Sequence, residues 1–401
     1  METPSPPLWR HRVFQQLFFA HALSLVGGGL TSLALGLLAH HLVGASASTV
    51  LGFTLAIRIA VIVVCSPWAG LVAERFGART TMVAADLLRV FVVVGFYFAD
   101  AVWQIYVLAV FLNFGSAIFT PIYRAVIPDV VSPQQYPRAL AIGSIAYDAS
   151  NILGPSLAAA VIALVGFQGN FIANALTFLA SAALLFGLPR LGAAAAAAPK
   201  KPKSSATHGL KTMFQREPLR RSVFLALQVS VAGAFVIVAT VDFIKNDLGL
   251  SDAAYAWTMM AFGLGSAAGA ALYGKVESLR HWMVQCAVPG MLAALVSVGL
   301  LPQFSTVIMA WVVIGAAYST LGIRGSELLG ANSAGEERPH VYAAHFALSH
   351  AGWGITYPLA GTLTTALGFP KTALCFALLL AVVTIPIWQH HRRNPETRPR
   401  D

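Results

Sequence analysis

Apolar segments of about twenty residues recur almost from end to end of this 401-residue chain, and no other feature restricts its fold so tightly. A bilayer core of about 30 Å is crossed by a helix of about 20 residues. Lipid offers no partner for backbone N–H and C=O groups, so segments of that length span as helices that satisfy their own hydrogen bonds. Twelve spans are expected, at residues 14–39, 48–73, 80–99, 102–127, 138–164, 167–188, 222–245, 252–274, 281–301, 303–327, 340–366 and 371–389. The fold class is an all-α membrane protein of twelve transmembrane helices. Only 10% of the residues are charged and 57% are hydrophobic, against about a quarter charged in soluble domains. The first apolar run is too long for a signal-peptide core and has no obvious small-residue cleavage site, so it reads as a retained helix. Cys65, Cys286 and Cys375 all fall inside spans and make an odd count, which indicates neither a disulfide framework nor a zinc knuckle.

A formal charge of +10 raises the question of nucleic acid. The basic residues are not gathered on a soluble module, however; they collect in alternate loops. Arg10 and Arg12 precede the first span, Arg75 and Arg79 follow the second, and Arg138 follows the fourth. Lys275 and Arg280 follow the eighth, Arg338 the tenth, and Arg392, Arg393, Arg398 and Arg400 the twelfth, whereas the opposite loops carry Lys245 and Lys371. The positive-inside rule therefore puts both termini and the central loop in the cytoplasm. No nucleic-acid partner is expected.

The span pattern breaks at residues 190–221, an alanine tract followed by Pro199-Lys200-Lys201-Pro202-Lys203 and a basic stretch. We read this as a basic cytoplasmic linker between a six-span half at 1–189 and a second at 222–389, with a cytoplasmic tail at 390–401. The halves echo each other at an offset of about 200 residues, the parallel repeat seen in many transporters. Arg124 corresponds to Arg324, and the stretch from Gly154-Pro155 to Gly166-Phe167 corresponds to that from Tyr357-Pro358 to Gly368-Phe369.

Between spans 2 and 3 stands Gly70-Leu-Val-Ala-Glu74-Arg75-Phe-Gly77-Ala-Arg79. This turn resembles the Gly-x-x-x-Asp-Arg-x-Gly-x-Arg/Lys signature of major facilitator transporters, with Glu74 where aspartate is usual. The resemblance implies two six-helix pseudo-repeat halves and alternating access. It also implies a conformational latch of Gly70, Glu74, Arg75, Gly77 and Arg79, with Asp86 and Arg89 opening span 3. In span 5, Ser150, Gly154, Pro155 and Ala158 are placed like the glycine-rich motif of drug–proton antiporters. Small residues there let helices approach, and a proline weakens the backbone ladder. The reading is export; a packing seam without directional meaning stays open beside it. Ala84 to Arg89, and Arg124 through Pro128, Asp129 and Pro133 to Arg138-Ala139, resemble the siderophore and macrolide exporter branch.

Ionisable groups at membrane depth are costly unless paired or hydrated, which makes them candidates for coupling. Asp148 lies about ten residues into span 5, or about 15 Å at 1.5 Å per residue, near the midplane; Arg58 in span 2 is at comparable depth. Asp148 is expected to alternate between protonated and ionised forms, with Arg58 or a substrate cation favouring the ionised one; a permanent ion pair is the other reading. Candidate cavity residues are His21, Asn113, Tyr123, Arg124, Asn151, Asp242, Arg324, Glu327, His345 and His350. Glu327 lies one helical turn after Arg324 and is expected to neutralise it. His21, Asp148, His345 and His350 also make a possible ligand set for nickel or cobalt as cargo, with gating or polar packing as the more ordinary reading of the histidines.

No phosphate-binding glycine loop and no soluble module point to an enzyme, and no cofactor is expected. The function expected is proton-coupled export of a small molecule such as a drug or siderophore. Transition-metal efflux is the alternative, and a membrane receptor or scaffold a second. Expected partners are the substrate, protons and the lipid bilayer, with a monomeric chain in a bacterial inner membrane.

Overall fold

Helices fill the computed structural model because each apolar run closes its own backbone ladder, and the breaks fall where proline or glycine prevents that. The structure describes residues 8–132, 135–189, 206–333 and 337–393, without the side chains of 137–138, 140–141, 144–145, 147–149, 151–153, 155, 206–208, 338–339 and 386–393. The helices are α1 Arg12–Val43, α2 Ala47–Cys65, α3 Ala69–Phe76, α4 Ala78–Tyr97, α5 Val102–Val130, α6 Tyr136–Phe186, α7 Ala206–Gln215, α8 Glu217–Asp242, α9 Asp252–Lys275, α10 Glu277–Leu300, α11 Phe304–Ala331, α12 Arg338–Leu367 and α13 Phe369–Arg393. Helices α2 and α3 share the second span, separated by a 3-10 turn at Ser66–Trp68 with Pro67 in it. Helix α6 holds spans 5 and 6. All twelve expected spans are therefore helical among the described residues. Among the described residues, seven stretches are long and apolar enough to cross a membrane on length and composition alone, one of them, Arg12–Phe76, holding two spans. Spans such as α9 and α12 are diluted by Gly, Ser, Thr, His and Tyr.

Two hairpins are closed by the same device. Gly166, inside α6, has φ +74°, and Gly368, between α12 and α13, has φ +78°. Both are followed by phenylalanine, and the left-handed torsion that reverses the chain is open to glycine at little cost. The non-helical torsion within α6 falls at Gly166, at the span boundary; the side chain of Pro155, expected to bend span 5, lies outside the described residues.

The chain packs as two units, one of residues 1–43 and 57–202, the other of 44–56 and 203–401. In the first, α1 lies against α6 over most of its length. Ser150 Oγ donates to the Leu25 carbonyl (2.9 Å) and Asn170 Nδ2 to Leu30 (2.9 Å), and Ser181 Oγ lies 2.8 Å from the Ala20 carbonyl. The backbones nearly touch at Gly29, where an added Cβ would lie 2.9 Å from Gly154 Cα. An apolar core including Phe14, Met82, Phe119, Ile122 and Leu185 fills one end. Side chains facing outward are apolar too: Leu164 is 84% exposed and Phe91 74%, as lipid contact requires.

In the second unit, α8 is the central rod, most of its residues from Gln228 to Asp242 being buried. Trp311 Nε1 donates to Thr240 Oγ1 (3.0 Å), Phe235 and Phe369 lie 6.0 and 6.1 Å from its ring, and Phe376 and Phe243 extend the cluster against Phe235 (5.6 Å) and Phe369 (4.2 Å, stacked). Part of the segment read as linker is ordered here. Helix α7 buries Met213 with Leu219, Val223, Leu329, Val341 and Ala344. Just after it, Arg216 grips both carboxylate oxygens of Glu337 at 2.5 and 2.9 Å. Residues 190–205 and 394–401 lie outside the described residues.

The glycine contact gives a direct test. Replacing Gly29 by valine should cost about 1–3 kcal/mol through overpacking, read as a lower unfolding midpoint in detergent. The same change at Gly28, where an added Cβ meets nothing within 4 Å, should stay within about 0.5 kcal/mol.

Candidate functional site

The strongest electrostatic feature of the first unit is an ion pair with almost no access to solvent. Asp86 and Arg89 lie one turn apart on α4, 0% and 2% exposed, with Arg89 Nη2 donating to Asp86 Oδ1. Burial of two charges is stabilising only when the remaining donors and acceptors are also met. Here they are: Arg89 Nη1 donates to Ser24 Oγ of α1 at 2.6 Å, and Ser181 Oγ of α6 donates to Asp86 Oδ2 at 2.6 Å. The guanidinium carbon lies 4.7 Å from the Phe119 ring centroid and 4.6 Å from that of Phe178, within range for cation–π attraction. Gly115 on α5 leaves space for the arginine stem, since a Cβ there would come 2.8 Å from Arg89 Cγ. Four helices therefore meet on one pair.

The signature turn lies outside this network. Gly77 has φ +83° and joins α3 to α4. Arg79 Nη1 donates to the Leu188 carbonyl at 2.6 Å and its guanidinium faces the Phe186 ring at 5.6 Å, tying the turn to the end of α6. Glu74 and Arg75 are exposed, and among the described residues neither has an ion-pair partner; Arg75 lies 5.6 Å from the ring of Phe76. Gly70 is half-buried. Within this unit the acid–arginine contact is thus made by Asp86 and Arg89 rather than by Glu74 and Arg75.

Next to the pair, the imidazole of His21 stacks on the Tyr123 ring with centroids 3.9 Å apart, and Phe119 lies beyond at 6.0 Å. His21 Nδ1 and Tyr123 Oη are buried without a hydrogen-bond partner among the described residues. Asn113 spends its amide on the Ala109 carbonyl of its own helix (2.7 Å), and Arg124 is exposed. Ala158 is fully buried on the α6 seam. Arg58 is half-buried, and the side chains of Asp148, Asn151 and Pro155 lie outside the described residues.

The second unit uses its charges differently. Asp242, at the end of α8, accepts from the Ser48 backbone N–H (3.1 Å) and from Asn246 Nδ2 (3.0 Å). Ser48 Oγ donates to the Val238 carbonyl (2.9 Å) and Thr49 Oγ1 to Gly361 (3.1 Å). Ser48 is the second residue of α2, whose first-turn N–H groups have no intrahelical acceptor, and a carboxylate there meets both the free donor and the helix dipole. Asp242, one of the expected cavity residues, caps the first turn of α2 from another helix. Arg324 Nη1 pairs with Glu327 Oε2 at 3.1 Å, and Tyr273 Oη donates to the same oxygen at 2.7 Å. His350 stacks on Phe346 at 3.7 Å and donates from Nδ1 to the Phe346 carbonyl (2.9 Å). His345 is half-buried, with Nε2 lacking a hydrogen-bond partner among the described residues. Among the described residues no three of His, Cys, Asp and Glu come together as a metal site.

The major facilitator superfamily model matches residues 17–241 and again 223–401, one match for each half. The chain belongs to the major facilitator superfamily. It is a multi-pass membrane transporter of bacterial type rather than an enzyme, and a transporter implies a small-molecule substrate. It is 25% identical over 279 residues to the MFS-type transporter YfiS of Bacillus subtilis (strain 168), a match covering 65% of each chain. Solved structures share the fold. A bacterial homologue of the human lysosomal transporter Spinster superposes with a TM-score of 0.73 at 13% identity, covering 99% of this chain and 100% of its own. A bacterial homologue of the iron transporter ferroportin gives 0.70 at 12% identity, covering 95% and 99%.

Ser24, Ser181, Phe119 and Phe178 were not among the residues expected from sequence. Their signal is a hydroxyl or aromatic in an otherwise aliphatic span, which by itself names no partner. Removing Asp86 with alanine should cost about 3–5 kcal/mol, because it strands a buried guanidinium, whereas Ser24→Ala should cost about 1 kcal/mol; thermal unfolding in nanodiscs measures both. Asp242→Ala should speed amide exchange at Ser48 about fivefold, matching a cap worth about 1 kcal/mol, and Asp242→Asn should speed it less.

Proposed function

We propose that this superfamily member is a proton-coupled exporter of a small organic amphiphile, acting by alternating access in a bacterial inner membrane as a monomer with both termini cytoplasmic. The observation that carries the export reading is the seam of α6 on α1. Ser150 bonds the Leu25 carbonyl at 2.9 Å, and Gly154 lies so close that a Cβ on it would be 3.2 Å from Gly29 Cα. These are the positions that resemble the antiporter motif, and small residues there allow two backbones to slide in contact. The latch, in this reading, combines the turn at Gly70–Arg79 with the Asp86–Arg89 pair.

Asp148 is the proposed proton carrier, with Arg58 as the cation that biases it. Two other acids of the described spans are already engaged: Asp86 is bonded to Arg89 and Ser181, and Asp242, at the end of α8, to Ser48 and Asn246. An organic substrate is preferred on the resemblance of the span 5 positions Ser150, Gly154, Pro155 and Ala158 to the motif of drug–proton antiporters.

In liposomes under an imposed proton gradient, the full chain should drive substrate flux that collapses with the gradient. Asp148→Asn should lower gradient-driven flux at least tenfold, leaving the unfolding midpoint unchanged. Flux that keeps its pH dependence in that variant would remove Asp148 from the coupling step.

A further inference from the structure

Four aromatic rings on α12 share one face. Phe346, His350, Trp353 and Tyr357 are spaced four, three and four residues apart, and at about 100° per residue they fall within a sector of about 60°. On the opposite side Ile355 is 68% exposed, which marks the lipid face. The rings are in contact: Phe346 with His350 at 3.7 Å, and Trp353 with Tyr357 at 5.0 Å.

The row continues onto other helices of the same unit. Tyr318 of α11 lies 6.3 Å from Trp353, and Phe262 of α9 lies 5.4 Å from Tyr318, edge to face. What lets the row cross α8 is Gly233, where a Cβ would meet Trp353 Cη2 at 2.6 Å and Tyr318 Cε2 at 3.1 Å. Gly233, Phe262, Tyr318 and Trp353 all sit near the middle of their helices. Tyr318, Trp353 and Tyr357 are half-buried rather than packed away. Residues 222–241, 253–274, 304–323 and 339–367 contain no Asp, Glu, Lys or Arg; Arg324 and Glu327 follow on α11, and His340, His345 and His350 stand on α12. Ring faces at mid-depth select by stacking and edge contact.

We infer that the Tyr357–Trp353–Tyr318 wall is the substrate-recognition surface of the second unit, and that it takes a planar aromatic ring system, neutral or cationic, stacked on Trp353 and Tyr318. The inference rests on the transporter reading given above and narrows its substrate class. Anions are disfavoured, because the π faces are negative.

The test uses the full chain in nanodiscs with two probes, ethidium as a planar aromatic cation and erythromycin as a non-aromatic amphiphile, both by equilibrium binding. Ethidium should bind the wild type, and Trp353→Leu and Tyr318→Leu should each weaken it about three- to tenfold, the range of an aromatic pair. Trp353→Phe should stay within about twofold, and erythromycin should not respond to any of the three. Should Trp353→Leu fail to fold, Tyr318→Leu and Gly233→Leu read the same surface. Ethidium affinity unchanged in both Tyr318→Leu and a folded variant at Trp353 or Gly233 would overturn the inference. So would a wild type that binds erythromycin and not ethidium. Gradient-driven erythromycin export with no ethidium binding removes the aromatic surface and leaves the exporter. Ethidium binding lost in the leucine variants, without gradient-dependent flux, keeps the surface and removes the exporter.

Discussion

Absence of water is the constraint on which the structure rests. Without solvent to complete hydrogen bonds, helices have no general drive to associate, and what holds them is close backbone approach and the bonds that polar side chains form across the gap. The first unit shows both along a single seam, where α6 sends Ser150, Asn170 and Ser181 to carbonyls of α1 while Gly29 and Gly154 bring the two backbones together. The second unit achieves the same with ring packing around Trp311 and with Asp242 bonded to the first turn of α2. The polar residues in these spans are thereby the means of assembly rather than exceptions to an apolar rule.

The same scarcity sorts the ionisable groups. A charge kept deep in the membrane must be answered continuously, and the Asp86–Arg89 pair is answered on every side, by two serines and two aromatic faces. Such a pair contributes position, fixing where α1, α4, α5 and α6 meet. Asp242 contributes position too, through a helix end instead of an ion pair. His21 Nδ1 and Tyr123 Oη, which have no hydrogen-bond partner among the described residues, are of a different kind. The division between charges that hold and groups that remain available is a property of neighbours, not of residue type.

For that reason the spans were legible from sequence and the roles of their polar residues were less so. Apolar runs of the right length, a glycine before phenylalanine at both Gly166 and Gly368, and the basic alternation of loops are local signals, and helices and hairpins follow from local signals. The Arg324–Glu327 pair was legible for the same reason, being one turn apart. The acceptor role of Asp242 toward Ser48 joins positions 194 residues apart and leaves no local signal. The ordered helix at Ala206–Gln215 was hidden in a basic stretch, since its burial depends on Val341 and Ala344. The aromatic wall has no sequence signature across helices; only its α12 row is periodic.

The paired glycines at 166 and 368 have a consequence for how the protein is made. Each reverses the chain within a residue or two, so spans 5 and 6, like spans 11 and 12, meet through contacts that are close in sequence. Local contacts form early and cost little loop entropy. Each pair can therefore enter the bilayer as a ready-formed hairpin while the rest of its half is still being synthesised, and the longer-range bonds, such as those from Asp242 to Ser48, have only to join pieces that are already upright.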